Sequence, residues 1–371
     1  MAGGSPNLFL RAGLWAALLI ATGAQAASDS ALGSKAVIAA PVNVPTGVVM
    51  PAAYYGGSYV ATFQTEGEDG SREVLVEIAC TSVNPADWKT REGKLSAYID
   101  YHFPFVLGFD LAGVVAAVGP GVTRWQVGDR VFGMSNQRNG KDGTYAEYCV
   151  ASCELLAPLP QGWSYVDAAG LPVAGSTAYG GMVDAGELRA GQTVLINGGA
   201  GGVGSIAIQI ARAVGARVAV TCSPKNFDYV TELGAELAID YRGGDVVSQL
   251  RAWAPSGVNQ VLDAVGLDTL LPDAEELVAP GGSYVEIETL ISRADEERVA
   301  RAAERGVRIV SNMIAVQRQP QHMMELAALC TKGAIRPPET EVLPLAEVAE
   351  AHRLVEAGHV RGKVVLATHT D

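Results

Sequence analysis

The stretch from Asn197 to Ala216, NGGAGGVGSIAIQIARAVGA, decides the fold. Gly199, Gly201 and Gly204 give the GxGxxG spacing, with Gly198 and Gly202 beside them. That spacing alone is a weak signal, because a glycine-rich turn ahead of any helix looks the same. The flanks settle it. QTVLINGG (192–199) is an apolar strand leading into the glycines. After them, Val203, Ile206, Ile210 and Val214 recur at helical spacing, and Gly215 is a stop. A glycine turn between a strand and a helix lets backbone N–H groups approach a pyrophosphate at the helix N-terminus. The stretch reads as the phosphate cradle of a dinucleotide site.

The same rhythm continues outward. RVAVTCS (217–223), LAIDY (237–241), NQVLDAV (259–265) and GSYVEIE (282–288) are strands. KNFDYVTELGA (225–235), DVVSQLRAW (245–253) and DTLLPDAEELV (268–278) between them read as helices. Such alternation builds a parallel, doubly wound α/β sheet. Upstream, REVLVEIACTSV (72–83), GVVAAVGPGV (113–122), GDRVFGM (128–134) and GTYAEYCVA (143–151) are short strands broken by turn residues, a mostly β domain. Downstream, VRIVSNMI (307–314) precedes helices at PQHMMELAALCTKG (320–333) and LAEVAEAHRLVEAG (345–358), and a last strand at GKVVLAT (362–368).

The 371 residues suffice for two domains, and 49% hydrophobic residues supply a sizeable core. A net charge of −13 argues against nucleic acid or an anionic membrane as partner. The five cysteines, Cys80, Cys149, Cys153, Cys222 and Cys330, are odd in number and form no CxxC. They read as free thiols rather than a disulfide framework or a zinc site, with Cys149/Cys153 the one pair suited to a thiol titration. At the N-terminus, Arg11, the apolar run Leu14–Ala21 and Ala24-Gln25-Ala26 have the order of a secretory signal, which implies export. The alternative is a start at Met50 and a cytoplasmic protein.

An NAD site places Asp or Glu about 20 residues past the glycines to hold the ribose 2′-OH. Here the second strand ends in TCSPKN (221–226), which has no carboxylate. Ser223 and Lys225 suit a 2′-phosphate instead, so the expected cofactor is NADP(H).

VNPADWKTREGK (83–94), FPFVLGFDLAGVVAAVGPGV (103–122), VGDRVFG (127–133), AAGLPVAGSTAY (168–179), AGQTVLINGGAGGVG (190–204) and GHVRGKVVL (358–366), with the GTYAEYCVA strand, together resemble the medium-chain dehydrogenase/reductase superfamily. The nearest group is that of the zinc-free quinone oxidoreductases and enoyl reductases. The resemblance implies a GroES-like catalytic domain, residues 54–170 together with 315–371, around a Rossmann domain at 171–314. A signal-peptide leader at 1–26 and a linker at 27–53 would precede them. It implies hydride transfer from NADPH to a quinone or an α,β-unsaturated carbonyl, and pairing of two copies. A trans-acting enoyl-thioester reductase and a catalytically silent NADPH-binding protein are the alternatives.

The superfamily's zinc ligands fall at Asn84, Phe109 and Val173, so no metal is expected. The loop MSNQRNGKDG (134–143) has no cysteine for a structural zinc. By resemblance, Asn84 and Thr177 sit beside the nicotinamide, and Asn84 can donate its amide N–H. Asp87 belongs to the same segment; with Lys89 it is either functional or an exposed charge pair on a turn. Gly199, Gly201, Gly202, Val203 and Gly204 carry the pyrophosphate. Ser223, Lys225 and Tyr241 form the 2′-phosphate set, and Val265 and Gly266 pass close to the cofactor. Lys363 either reaches the cofactor cleft or is a surface lysine. Tyr179 reads as structural. Glu286 and Glu288 depart from the family pattern; they either alter the substrate site's electrostatics or point outward.

Overall fold

The structure is a computed structural model. It describes residues 72–96, 105–119, 121–135, 143–243, 245–266, 270, 274–287, 294–310 and 321–368, and the backbone of 39–41 and 58–60. The leader-like segment 1–26, Met50 and Glu288 lie outside the described residues. Strands β1 (Ala39–Pro41) and β2 (Ser58–Val60) pair antiparallel, so part of the stretch expected as a linker is strand.

The first large sheet begins with β3 (Glu73–Val83), an eleven-residue strand buried along nearly its whole length. Helix α1 (Pro85–Arg91) follows, then β4 (Asp110–Val118), β5 (Arg130–Met134), β6 (Tyr148–Ser152) and β7 (Leu156–Pro158). Helix α2 (Tyr165–Ala169) and helix α3 (Pro172–Tyr179), continued by a π-turn to Ala185, lead into the second sheet.

That sheet comprises β8 (Thr193–Asn197), β9 (Arg217–Cys222), β10 (Leu237–Asp240), β11 (Val258–Asp263), β12 (Val278–Glu286) and β13 (Arg308–Val310). Every pairing in it is parallel, in the order β10-β9-β8-β11-β12-β13. The interleaved helices are α4 (Gly202–Val214), α5 (Phe227–Leu233), α6 (Val246–Trp253) and α7 (Glu296–Glu304). α4 forms where the periodicity places it: Ile206 and Ile210 are buried, and Gly215 ends the helix at φ 91°, a left-handed conformation that suits glycine. Alternate residues feed two cores. Val194, Ile196, Val220 and Leu262 face one, and Leu195, Ala219, Val261 and Tyr284 the other.

Two expectations change. Of the stretch DTLLPDAEELV, expected as a helix, 268–269 and 271–273 lie outside the described residues; Ala274–Leu277 forms a single 3-10 turn, and Val278 already begins β12. Helix α7 arises where the sequence reading placed no element; Asp295 caps it, its carboxylate accepting the Arg298 N–H.

After helix α8 (Gln321–Thr331), strand β14 (Thr340–Pro344), helix α9 (Val348–Glu356) and strand β15 (Lys363–Ala367), the chain rejoins the first sheet. Its order is β14-β15-β3-β4-β5-β7, with β6 also on β3. The C-terminal strand therefore lies against the strand that leads to Asn84, Val83 pairing with Val364. All five cysteines are buried free thiols, and burial pushes Cys153 up to about 11.

Candidate functional site

Strand order reverses at β8: the chain runs outward through β9 and β10, then crosses to β11 on the other side. Doubly wound sheets bind ligands at that point, beyond the carboxyl ends of the strands. The turn Gly198–Gly204 lies there and opens α4. A Cβ on Gly204 would sit 2.2 Å from the Gly198 carbonyl oxygen and 2.8 Å from Gly199 Cα. One on Gly199 would sit 2.6 Å from Val220 Cβ. The turn closes tightly only without side chains, leaving its face open to the phosphates of a dinucleotide. The residues present therefore fit such a cofactor.

Ser223, Lys225 and Tyr241 follow the ends of neighbouring strands, where Cys222 is level with Asp240. Lys225 is exposed and Tyr241 is 42% exposed. Arg242, which the sequence reading passed over, stacks on Tyr241 and donates its Nε–H to the phenol oxygen at 3.0 Å. That leaves the Tyr241 hydroxyl proton directed elsewhere. Val265 is 45% exposed beside the glycine turn.

Beneath these loops a row of buried polar side chains crosses four strands. Thr221 donates its hydroxyl to Asn197 Oδ1 at 2.6 Å, and Asn197 donates Nδ2–H to Asp263 Oδ1 at 2.8 Å. Tyr284 donates its hydroxyl to Asp263 Oδ2 at 2.7 Å. Two members of the row hold the loops: the Gly198 N–H goes to Thr221 Oγ1, and the Val265 and Gly266 N–H groups go to Asp263 Oδ1. Glu286, level with Asp263, is buried in this region and does not point into solvent. Sequence reading missed the row because its members look like ordinary strand ends. Tyr284→Phe is expected to cost about 1 kcal/mol, the usual worth of one hydrogen bond, and to raise the KM for the dinucleotide several-fold with kcat little changed. Steady-state kinetics with a thermal melt checks this.

On the catalytic-domain side, Asn84 immediately precedes α1 and is 2% exposed. Its Nδ2–H goes to Asp110 Oδ2 at 2.7 Å. Lys363 donates from Nζ to Asn84 Oδ1 at 2.5 Å and to the Val83 carbonyl at 3.3 Å, and lies 3.5 Å from Asp110 Oδ2. The Ser82 hydroxyl also bonds Asp110 Oδ2, and the Val173 N–H reaches Asp110 Oδ1 at 2.7 Å. Asp110, not singled out from sequence, is thus the hub of the cluster and wholly buried. Lys363 is not a surface lysine: it is buried, and its charge is directed at Asn84.

Asp87 is wholly buried too, which corrects its reading as half of an exposed charge pair. Its Oδ2 accepts the Asn84 backbone N–H at 2.7 Å, while Oδ1 has no hydrogen-bond partner. Burial pushes its carboxyl up to about 7, against the opposing pull of that N–H. The Tyr145 hydroxyl also favours the charged form of Asp87. Tyr145 in turn bonds His352 Nε2 at 3.2 Å, and Arg91 Nη1 meets His352 Nδ1 at 3.0 Å. Arginine only donates, so Nδ1 accepts and Nε2 carries the proton. Burial and the Arg91 charge hold His352 down to about 4, neutral at physiological pH.

Thr177 is buried within α3. Its neighbour Ser176 bonds His322 Nδ1 at 2.9 Å, and His322 Nε2 bonds Asp184 Oδ2 at 2.7 Å. These are the members of a nucleophilic triad, but Ser176 is only 4% exposed and lies inside a helix. Tyr179 packs against the same imidazole, its ring centroid 5.1 Å away, in keeping with a structural role. The trio ties α3 to α8.

The two halves meet through the C-terminal loop. The Gly362 N–H donates to the Ala200 carbonyl at 3.0 Å, and Gly362 bridges Gly201. A Cβ on Gly202 would lie 2.7 Å from Lys363 Cδ. The lysine stem therefore lies on the phosphate turn while its ammonium reaches Asn84. Phe109 and Val173, at the superfamily's other two ligand positions, carry no side-chain donor atom, and Asn84 already faces an ammonium; the residues present do not fit a zinc ion. Among the described residues, no three His, Cys, Asp or Glu side chains gather as a metal site.

Comparison with known proteins agrees with this architecture. Residues 70–161 match the alcohol dehydrogenase GroES-like domain, and 233–366 match the zinc-binding dehydrogenase family. Dehydrogenase orf1 of Aspergillus niger is 39% identical over 52% of this chain, a match spanning 58% of that protein. The chloroplastic NADPH-dependent alkenal/one oxidoreductase of Arabidopsis thaliana is 32% identical over 84% of this chain and 77% of its own length. The quinone oxidoreductase structure from Coxiella burnetii superposes with a TM-score of 0.69 at 29% identity, covering 84% of this chain and 95% of that one. The chain belongs to the medium-chain dehydrogenase/reductase superfamily, in its quinone oxidoreductase and enoyl reductase group.

Proposed function

We propose that the protein is an NADPH-dependent, zinc-independent reductase of quinones or α,β-unsaturated carbonyls. The observation that carries this is the buried Asn84–Lys363–Asp110 cluster, tied through Gly362 to the phosphate turn. The names of the relatives from Arabidopsis thaliana and Coxiella burnetii point the same way. Gly199, Gly201, Gly202, Val203 and Gly204 would hold the pyrophosphate. Ser223, Lys225 and Tyr241, with Arg242, would hold the 2′-phosphate, and Val265 and Gly266 would flank the nicotinamide end. Bound there, NADPH supplies the hydride. The chain's own part is to orient the acceptor and offer donors to the oxygen that gains charge. Asn84 and Thr177 are assigned to the acceptor side. Asp87 sets the charge of the buried cluster behind Asn84.

The test follows the consumption of NADPH and NADH with an ortho-quinone, a para-quinone, a simple enone and an enoyl-CoA, all with chelator present. Turnover with NADPH, indifferent to chelator, is expected. A preference for enoyl-CoA moves the protein to the enoyl-thioester branch, of which the solved CurK enoyl reductase is a fold relative. Lys225→Ala is expected to raise the KM for NADPH about tenfold, the worth of one charge-assisted bond, and to leave that for NADH unchanged. Loss of activity with chelator overturns zinc independence.

A further inference from the structure

We propose that Lys363 and Asp110 act as positioning residues that lock and polarise the Asn84 side-chain amide, making its remaining N–H the hydrogen-bond donor to the carbonyl oxygen of the acceptor. The inference rests on the reductase reading above and names how its electrophile is built.

A primary amide offers one acceptor oxygen and two N–H donors. The Asn84 oxygen receives the Lys363 ammonium at 2.5 Å, and one N–H goes to Asp110 Oδ2 at 2.7 Å. This pair fixes which end of the amide is oxygen. Turning it over would set NH₂ against an ammonium and a carbonyl against a carboxylate, two repulsions in a buried site. The second N–H is the one donor of the amide left unassigned among the described residues.

The flanking charges also change how strongly it donates. A cation on the oxygen draws electron density out of the amide nitrogen, and in a buried network successive bonds reinforce one another. Asp110 is itself held on both oxygens, by the Val173 N–H on Oδ1 and by Ser82 on Oδ2. It cannot swing away when the amide is pulled toward a ligand. The arrangement does with an ammonium, an amide and a carboxylate what a Lewis-acidic metal does elsewhere.

The chemistry balances. Hydride from NADPH forms the new C–H bond at the β-carbon of the acceptor, the C=C π pair moves into the α-carbon–carbonyl linkage, and the carbonyl π pair becomes charge on oxygen. The Asn84 N–H strengthens as that charge develops. One proton from water, taken at the α-carbon, restores the carbonyl, and NADP⁺ is the oxidised product.

The test uses the full chain with NADP⁺, which has no hydride to give, and an unreactive cyclic enone as carbonyl probe. Vibrational difference spectroscopy reads the C=O stretch of the bound enone. The wild type is expected to lower it relative to water. Lys363→Met keeps a stem against Gly202 and removes the charge. It is expected to return the stretch toward its free value and to lower kcat about 100-fold, as for loss of an oxyanion donor, with the Kd for NADPH changed less than about threefold. Lys363→Arg, which keeps the charge, should recover part of both. If Lys363→Met does not fold, Asn84→Asp carries the test, because it keeps the shape and the lysine partner but has no N–H; its bound enone should show no lowered stretch. A wild-type stretch and kcat in either charge- or donor-deleted variant overturn this inference alone. No turnover of any acceptor by the wild type overturns the reductase reading itself.

Discussion

Gly204→Ala is expected to raise the Kd for NADPH at least about tenfold and to lower the melting temperature of the free protein. The new methyl would lie 2.2 Å from the Gly198 carbonyl oxygen and 2.8 Å from Gly199 Cα. Both obstacles are backbone of the phosphate turn, so the clash cannot be relieved by a side-chain rotation. Overpacking of this kind costs about 1–3 kcal/mol, and the turn must open to absorb it. Opening it displaces the N–H groups that would face the pyrophosphate. Gly201 supplies the contrast. Its backbone has φ −78°, and the nearest atom to an added Cβ is 3.6 Å away. Gly201→Ala should therefore melt like the wild type, and any loss of NADPH affinity in it reports a methyl meeting the cofactor. Fluorescence titration with NADPH, beside thermal melts without it, separates the two. Equal Kd values for Gly204→Ala and wild type would remove the cradle from this turn.

The second large effect is a pH dependence with two opposing slopes. Asp87 is raised by burial from 3.8 to about 7. A raised carboxyl means the folded state holds the proton more tightly. Its contribution to stability is complete below the ordinary carboxylate range and is lost as pH rises through about 7. His352 is lowered by burial from 6.5 to about 4. The folded state resists that proton, so its contribution is complete above 6.5 and is lost as pH falls through about 4. At about 1.4 kcal/mol per pH unit, these are worth on the order of 4 and 3 kcal/mol in opposite directions. Between pH 4 and 6.5 they largely cancel. Asp87→Asn removes one slope, so relative to wild type it should gain stability steadily from pH 4 to 7. His352→Gln removes the other and should gain toward acid pH instead. Urea unfolding across pH 4–8 measures both differences. Parallel curves for wild type and Asp87→Asn would show that the buried carboxyl does not titrate in this window.

The doubly wound half of the fold was legible because its signals are local. A strand, a glycine turn and a helix follow one another within a single stretch, and the 3.6-residue period of α4 survives in the sequence. The C-terminal end of the helix expected over DTLLPDAEELV was not, because Val278 instead starts a strand whose parallel partner Val258 is brought beside it only by the fold. The chemistry-bearing residues divide the same way. Ser223 and Lys225 stand just past the end of the strand that follows the glycine turn and α4, and Asn84 and Thr177 stand inside stretches that carry the family resemblance. Asp110 stood in one of them too, but its role depends on Asn84, Val173 and Lys363, which three other segments bring to it. Tyr284 and His352 likewise act through residues 21 and 207 positions away. No window along the chain contains such a pairing, so only the folded arrangement reveals it.

The bridge from Gly362 to Ala200 and Gly201 makes the phosphate turn mechanically continuous with the first sheet. Strand β15 pairs with β3 and its Lys363 stem lies against Gly202. A proteolytic nick just before Gly362 would therefore loosen the cradle without touching any of its glycines, so resistance to limited proteolysis in that loop reports whether the two halves are braced together.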